Sequence, residues 1–136
     1  PDALTVARLN AEKHGVTGRI QFRRSDLFES VALRNSYFDL LVANLPYIPS
    51  STLLTLEVFG REPGLALDGG PDGLRVIRQL LASAPAHLEV GGGVLLEIEA
   101  SQGAAVLELA RQAFPDANIQ VLPDLAGKDR LLTIKT

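Results

Sequence analysis

Phe38-Asp39-Leu40-Leu41-Val42-Ala43-Asn44-Leu45-Pro46-Tyr47 decides how the rest of the chain is read. Residues 40–43 form an apolar run without polar alternation, the pattern of a strand buried on both faces of an α/β sheet. Asn44 follows at once. Pro46 fixes its own φ at about −65° and brings no N–H, and Tyr47 offers a flat apolar ring with a polar tip. Ligands of open α/β sheets bind beyond the carboxyl ends of the strands. The tetrapeptide Asn44-Leu45-Pro46-Tyr47 therefore reads either as a ligand loop or as a strand-ending turn with a half-buried tyrosine.

Working outward, Pro1-Asp2-Ala3-Leu4 suits a first helical turn, and Leu4, Val6, Ala7, Leu9 and Ala11 form a helical stripe that Gly15 ends. Residues 19–24 alternate polar positions with Ile20 and Phe22, as a strand does, and run into Ser25-Asp26-Leu27-Phe28. Residues 45–72 hold Pro46, Pro49, Pro63 and Pro71 with Gly60, Gly64, Gly69 and Gly70. Long loops of this kind in compact domains tend to be functional. A helix is expected over residues 73–88 through Leu74, Ile77, Leu80, Leu81 and Ala84, bent or ended by Pro85. Gly91-Gly92-Gly93 reads as a turn into a strand at 94–98, and residues 102–114 as a helix with Val106, Leu109, Ala110 and Ala113 on its inner face. Strands at 118–122 and 130–135 close the chain. Alternating strands and helices imply an α/β sandwich with mostly parallel strands, the last pair being joined closely enough to run antiparallel.

At 136 residues the chain is one domain at most. With 46% hydrophobic and 21% charged residues it has globular composition. It lacks an apolar run of the ~18 residues a membrane span needs and a secretory-type start, so a cytoplasmic protein is expected, without membrane partners. The absence of cysteine excludes disulfides and thiolate metal sites. His14 and His87 have no ligand-spaced neighbours and read as helix-surface residues, so no metal is expected. A net charge of −3 argues against strong nonspecific nucleic-acid binding. Arg19, Arg23 and Arg24, the sole basic cluster, read as solvated strand-edge residues.

The chemistry open to the tetrapeptide follows from its acceptors. The tetrapeptide looks like the amide- or amine-binding loop of an amino-methyltransferase, which must hold an NH₂ group in line with an electrophilic methyl donor because the lone pair of an amide nitrogen is delocalised. The Asn44 side-chain oxygen can accept one N–H, and the backbone carbonyl of Leu45 the other. Pro46 shapes the turn, and the Tyr47 ring is a wall for a planar amide or base.

Taken together, Ser25-Asp26-Leu27-Phe28, the stretch from Val42 to Pro49, Glu62-Pro63-Gly64-Leu65-Ala66-Leu67-Asp68-Gly69-Gly70-Pro71-Asp72-Gly73-Leu74, Leu96-Glu97-Ile98 with Gln102, and Asp124-Leu125-Ala126-Gly127-Lys128-Asp129-Arg130 carry a resemblance. The chain resembles the class I S-adenosylmethionine-dependent methyltransferases, and among them the HemK/PrmC-type glutamine methyltransferases of peptide chain release factors. The resemblance runs nearly end to end, and the segment at 62–74 is its most family-specific part. It implies a Rossmann-like α/β sandwich, S-adenosyl-L-methionine as cofactor, and a release factor with a Gly-Gly-Gln loop as partner. The glutamine of a ribosomal protein is the near alternative. Asn44 and Tyr47 would be the catalytic pair. Asn44, Leu45, Pro46 and Tyr47 would bind the acceptor amide, while Asp26, Leu27 and Asn44 would hold the donor. Asp26 also reads as a helix N-cap.

Two departures bear on these expectations. The family usually has proline where Leu45 stands, and Asn-Leu-Pro-Tyr is common in rRNA adenine dimethyltransferases, which keeps an rRNA adenine N6-methyltransferase open as an alternative. A non-catalytic peptide- or RNA-binding α/β domain is a second one. The family's Gly-rich donor loop and its first two strands have no counterpart, since Gly91-Gly92-Gly93 precedes a strand instead of opening a helix. The chain is therefore expected to be a single partial catalytic domain over residues 1–136, the C-terminal portion, of doubtful activity alone. The missing strands would lie between residues 19–24 and 40–43. Bare sheet edges invite pairing, so these two strands are expected to pair directly or the chain to self-associate.

Overall fold

The computed structural model describes residues 2–57 and 60–136. These divide into two compact units, Pro1–Asn35 and Ser36–Thr136, each described by itself.

In the first unit helix α1 spans Asp2–Lys13. Ala11 is buried and Leu4 and Ala7 half-buried, whereas Val6 and Leu9 are exposed, so the inner stripe is narrower than the sequence suggests. Gly15 ends the helix in the left-handed region at φ 66°, where glycine carries no Cβ penalty. The guanidinium of Arg8 lies 5.7 Å from the centroid of the Phe22 ring, a cation–π contact. The strand expected at 19–24 does not form. A 3₁₀ turn occupies Thr17–Arg19, Ile20 is extended at φ −122° and ψ 130°, and residues 20–24 belong to no sheet. Alternation supplies a strand-like face, but a strand also needs a neighbour to pair its backbone groups. The sheet that holds residues 40–43 takes its four strands from the second unit.

The second unit is a four-stranded sheet of order β1-β2-β4-β3. Its strands are β1 (Phe38–Asn44), β2 (Leu88–Glu97), β3 (Asn118–Pro123) and β4 (Asp129–Lys135). β1 and β2 are parallel, while β4 is antiparallel to both β2 and β3. The mostly parallel sheet expected is thus mixed, because the β3–β4 hairpin inserts its second strand beside β2. The three glycines at 91–93 lie within β2, where the pairing jumps from Phe38↔Leu88 to Leu40↔Gly93, a bulge that absorbs the extra residues.

Between β1 and β2 come a short α2 (Ser50–Leu53), a 3₁₀ turn (Gly64–Ala66) and helix α3 (Arg75–Ser83). α3 is continued by a 3₁₀ turn at Ala84–His87 where Pro85 ends the α-helix. His87 is half-buried in that turn, its Nδ1 lying 3.1 Å from the Ser36 carbonyl, and is not the helix-surface residue expected. Helix α4 spans Gly103–Ala113. α3 and α4 cover one sheet face: Ile77 and Leu81, Val106 and Ala110, Val94 and Leu96, and Leu132 are all fully buried. Burying each of the isoleucine, leucine and valine side chains among them stabilises the unit by about 1.5–3 kcal/mol. β1 differs from the doubly buried strand expected. Leu40 and Val42 are 52% and 71% exposed, because they point to the sheet face opposite the one that Leu41 and Ala43 share with the buried Val94 and Leu96; β1 is also an edge strand, with β2 as its one neighbour among the described residues. No helix of the described residues is long and apolar enough to cross a membrane.

Candidate functional site

The carboxyl end of β1 delivers Asn44 beside Glu97 of β2 in register. The chain then turns through Leu45 and Pro46, and the phenol of Tyr47 comes back to donate to Glu97 Oε1 at 3.4 Å. Burial of the ring and the adjoining Glu97 charge push the Tyr47 phenol above its ordinary value, so it stays a neutral donor through physiological pH. Strand pairing fixes the start of the loop, and this side-chain bond ties its far end to the same glutamate.

The outer wall comes from the segment at 62–74, which is laced onto the loop by backbone bonds. Ile48 N–H donates to the Leu67 carbonyl (3.0 Å), Gly69 N–H to the Ile48 carbonyl (2.9 Å) and Ser50 N–H to the Gly70 carbonyl (2.9 Å). Asp68 Oδ1 accepts from the Ser50 hydroxyl at 2.7 Å and from the Gly70 amide at 2.9 Å. These two donors hold the Asp68 carboxyl below its ordinary range. Here the long Pro- and Gly-rich stretch acquires its structural meaning: it is a second strap paired with the first. Between the straps lies a cavity of about 300 Å³, lined by Asn44, Leu45, Tyr47, Ile48, Glu62, Ala66 and Leu67. That is the lower end of the size of small-ligand pockets. Asn44, Tyr47 and Glu62 are the polar residues of this lining, and a carboxamide and a carboxylate carry oxygens able to accept from a ligand bearing N–H groups.

Behind the loop, Gln102 is buried and donates through Nε2 to the Tyr47 carbonyl at 2.9 Å and to the Gly73 carbonyl at 3.4 Å. Its Oε1 accepts from the Glu99 amide at 3.2 Å, and Glu99 accepts from Ser101 N–H at 2.8 Å, completing a capping box. The Ser101 hydroxyl also bonds Glu99, and this is the main reason its carboxyl titrates below the ordinary range. Farther back, Asp124 Oδ1 accepts from the amides of Ala126 (2.9 Å) and Lys128 (3.1 Å) in the β3–β4 turn. Its Oδ2 pairs with Arg130, which in turn donates to the Ile98 carbonyl at 3.1 Å. This explains the motif at 124–130 as a brace for the end of β2.

Of the residues expected in the site, Asn44, Leu45 and Tyr47 line one cavity, with Pro46 between them. Asp26 and Leu27 belong to the other unit, in the bend after residues 20–24. Asp26 is not the cap of an α-helix there. Its carbonyl accepts from Glu29 N–H, and the Ser25 hydroxyl accepts from Ser30 N–H at 2.9 Å. Leu27 has φ 45°, a backbone state that non-glycine residues rarely adopt and that concentrates at ligand-contacting positions. Glu62, Glu97 and the roles of Gln102 were not foreseen. All three stand in stretches that carry the resemblance, and the spacing Glu99-x-x-Gln102 is in addition a capping-box pattern.

No family model matches the chain. Curated relatives do. The chain is 50% identical over 131 residues to the release factor glutamine methyltransferase of Moorella thermoacetica, covering 96% of this chain and 46% of that protein. It is 46% identical to the one of Cereibacter sphaeroides, covering 99% and 48%. The chain belongs to the release factor glutamine methyltransferase family. It spans about half the length of the curated relatives it matches. A ribosomal protein uL3 glutamine methyltransferase from Bradyrhizobium diazoefficiens is 40% identical over 84% of this chain and 34% of its own. Among solved structures, a release-factor-specific protein-(glutamine-N5) methyltransferase from Alicyclobacillus acidocaldarius matches with TM-score 0.54 and 27% identity, over 80% of this chain and 54% of that one. TrmN from Thermus thermophilus matches with TM-score 0.56 at 18% identity, over 98% of this chain and 33% of that one, a likeness of fold alone. The architecture is accordingly a truncated Rossmann-like class I methyltransferase domain. Leu45 thus stands in a glutamine methyltransferase family, and the rRNA adenine reading is not favoured.

Proposed function

We propose that the whole protein carrying this chain transfers a methyl group from S-adenosyl-L-methionine to the side-chain amide of a protein glutamine, with a peptide chain release factor as substrate. The observation that carries the reading is the cavity at the end of β1 bounded by Asn44, Leu45 and Tyr47. In it, Asn44 Oδ1 accepts one amide N–H, the Leu45 carbonyl accepts the other, and the Tyr47 ring lies along the amide plane. Both acceptors raise electron density on the nitrogen and fix its direction of attack. No general base is required, because methylation leaves a cationic nitrogen whose surplus proton passes to water. Tyr47 is a poor candidate for that task in any case, since its phenol is held protonated.

The donor, when bound, supplies a methyl group made electrophilic by a sulfonium. The residues present fit it in kind. Asp26 is an exposed carboxylate able to accept from an adenine amino group, and Leu27, in its left-handed backbone state, offers an apolar side chain beside it. Asn44 and Glu62 bring polar oxygens suited to an ammonium group. Relatives named for uL3 glutamine methylation make that protein the second substrate to offer.

The test is transfer of labelled methyl from S-adenosyl-L-methionine by the protein at its natural length, with release factor, uL3 and bare rRNA side by side and Asn44→Ala as control. Label on a protein glutamine that disappears in the variant supports the reading. Label on RNA, or label on protein that survives Asn44→Ala, overturns it.

A further inference from the structure

The carbonyl that would accept the substrate amide, that of Leu45, is backbone, so its direction depends on what fixes the peptide units around it. At one side Asn44 is paired with Glu97. At the other, beside the backbone bonds of Ile48, the Tyr47 carbonyl accepts from a buried side chain in a different part of the chain. Gln102 is 7% exposed, and its amide uses three bonding positions at once: two N–H groups toward the carbonyls of Tyr47 and Gly73, and Oε1 toward the Glu99 amide. The amide orientation follows from this network, since the opposite flip would set an oxygen against two carbonyl oxygens.

No other side chain of this length supplies two donors and an acceptor in one plane. An ionised glutamate supplies no donor, and lysine no acceptor. The surroundings are built to admit the amide: a Cβ on Gly73 would stand 2.6 Å from Gln102 Nε2 and closer still to the Tyr47 carbonyl. The loop is thereby tied to the Gly73 turn and to the start of α4 through one group.

We propose that Gln102 is a positioning residue for the methyl acceptor: its buried carboxamide clamps the Tyr47 and Gly73 carbonyls together and so sets the direction of the Leu45 acceptor carbonyl. Pro46 supports the clamp, because its fixed φ removes one of the backbone torsions between the Leu45 carbonyl and the held Tyr47 carbonyl. The clamp touches no substrate atom. Its effect should therefore appear in the transfer step and not in donor binding. This rests on the amide-acceptor reading above.

Two substitutions separate clamp from scaffold. Gln102→Met keeps length and volume without hydrogen bonds, while Gln102→Glu keeps the acceptor for Glu99 N–H and loses the amide donors. In the protein at natural length, with a Gly-Gly-Gln peptide as acceptor, both should lower kcat about 10- to 100-fold, the scale of a misplacement near 1 Å. KM for the peptide and the Kd for S-adenosyl-L-methionine by calorimetry should stay within about threefold. Hydrogen exchange at the Ile48 and Gly69 amides should speed about tenfold, while amides in the centre of β2 keep their protection.

Wild-type kcat in a folded variant overturns the proposal. So does loss of protection in β2 together with Ile48 and Gly69, which would mark Gln102 as a scaffold residue only. If the wild-type protein methylates no glutamine, the functional reading fails by itself, and exchange still decides the clamp. Selective loosening of Ile48 and Gly69 supports it, and unchanged exchange overturns it.

Discussion

The phenol of Tyr47 donates to the carboxylate of Glu97 across 3.4 Å, joining the loop after β1 to the strand that pairs with β1. The two residues are 50 apart in sequence. This bond orients the ring without taking part in the chemistry proposed for it. Tyr47→Phe should therefore keep most of the methyl transfer, within about fivefold, and lower stability by about 0.5–1.5 kcal/mol, the net contribution of one hydrogen bond. Steady-state kinetics and urea unfolding check this. A loss of transfer beyond a hundredfold would give the hydroxyl a chemical role.

Two glycines should respond very differently to the same methyl group. Gly73 has φ 74°, and its Cβ would overlap the Tyr47 carbonyl, a backbone atom that cannot move aside. Strain and overpacking together predict a loss of about 2–4 kcal/mol for Gly73→Ala. Gly103 also faces an overlap, but with the carboxylate of the exposed Asp129, which can rotate away. Alanine there gains up to about 1 kcal/mol of helix propensity, so Gly103→Ala should stay within about 1 kcal/mol of wild type. Thermal melts of the pair, side by side, decide it.

Asp68 makes the strap pH-sensitive. The Ser50 hydroxyl and the Gly70 amide lower its pKa in the folded protein from an ordinary value of 3.8. The stabilisation is accordingly complete above the unfolded value and is lost as pH falls through the lower folded one. Hydrogen exchange or tyrosine fluorescence followed from about pH 5 to about pH 2 should show the loop loosening in wild type. In Asp68→Asn the loop should be looser at neutral pH and its acid response flatter. An identical acid profile in the two proteins would remove Asp68 from the account.

Leu45 is the departure from the family pattern, and a backbone acceptor makes its side chain secondary. Leu45→Pro should leave methyl transfer within about threefold of wild type, because proline keeps its carbonyl. Failure of a folded Leu45→Pro protein to transfer methyl would mean that the leucine side chain has become part of the cavity.

β1 has an edge that no strand covers among the described residues, and its Leu40 and Val42 side chains are exposed on one sheet face. The isolated 136-residue chain is therefore expected to associate with rising concentration. Val42→Lys should shift sedimentation toward the monomer, since edge lysines oppose pairing. A wild-type chain monomeric at all concentrations would contradict the expectation.

What the sequence by itself determined is local. The helical stripes of α3 and α4, the apolar run of β1 and the Asn44-Leu45-Pro46-Tyr47 loop are written in periodicity, proline and adjacency. The acceptor chemistry of the loop could be read from one segment of ten residues. The tertiary structure decided everything that depends on a partner far along the chain. Residues 20–24 have the alternation of a strand yet form none, because pairing is a property of two segments. β1 has a run of apolar residues that suits burial on both faces, yet Leu40 and Val42 are exposed, because whether a face is covered depends on elements elsewhere in the chain. The segment at 62–74 looked like a loop, and its role as a strap onto Ile48 and Ser50 required both backbones to be in place. Gln102 shows the limit most clearly. Its spacing from Glu99 marks a cap, but its two donors find the carbonyls of Tyr47 and Gly73 only after the helix, the turn and the loop have converged.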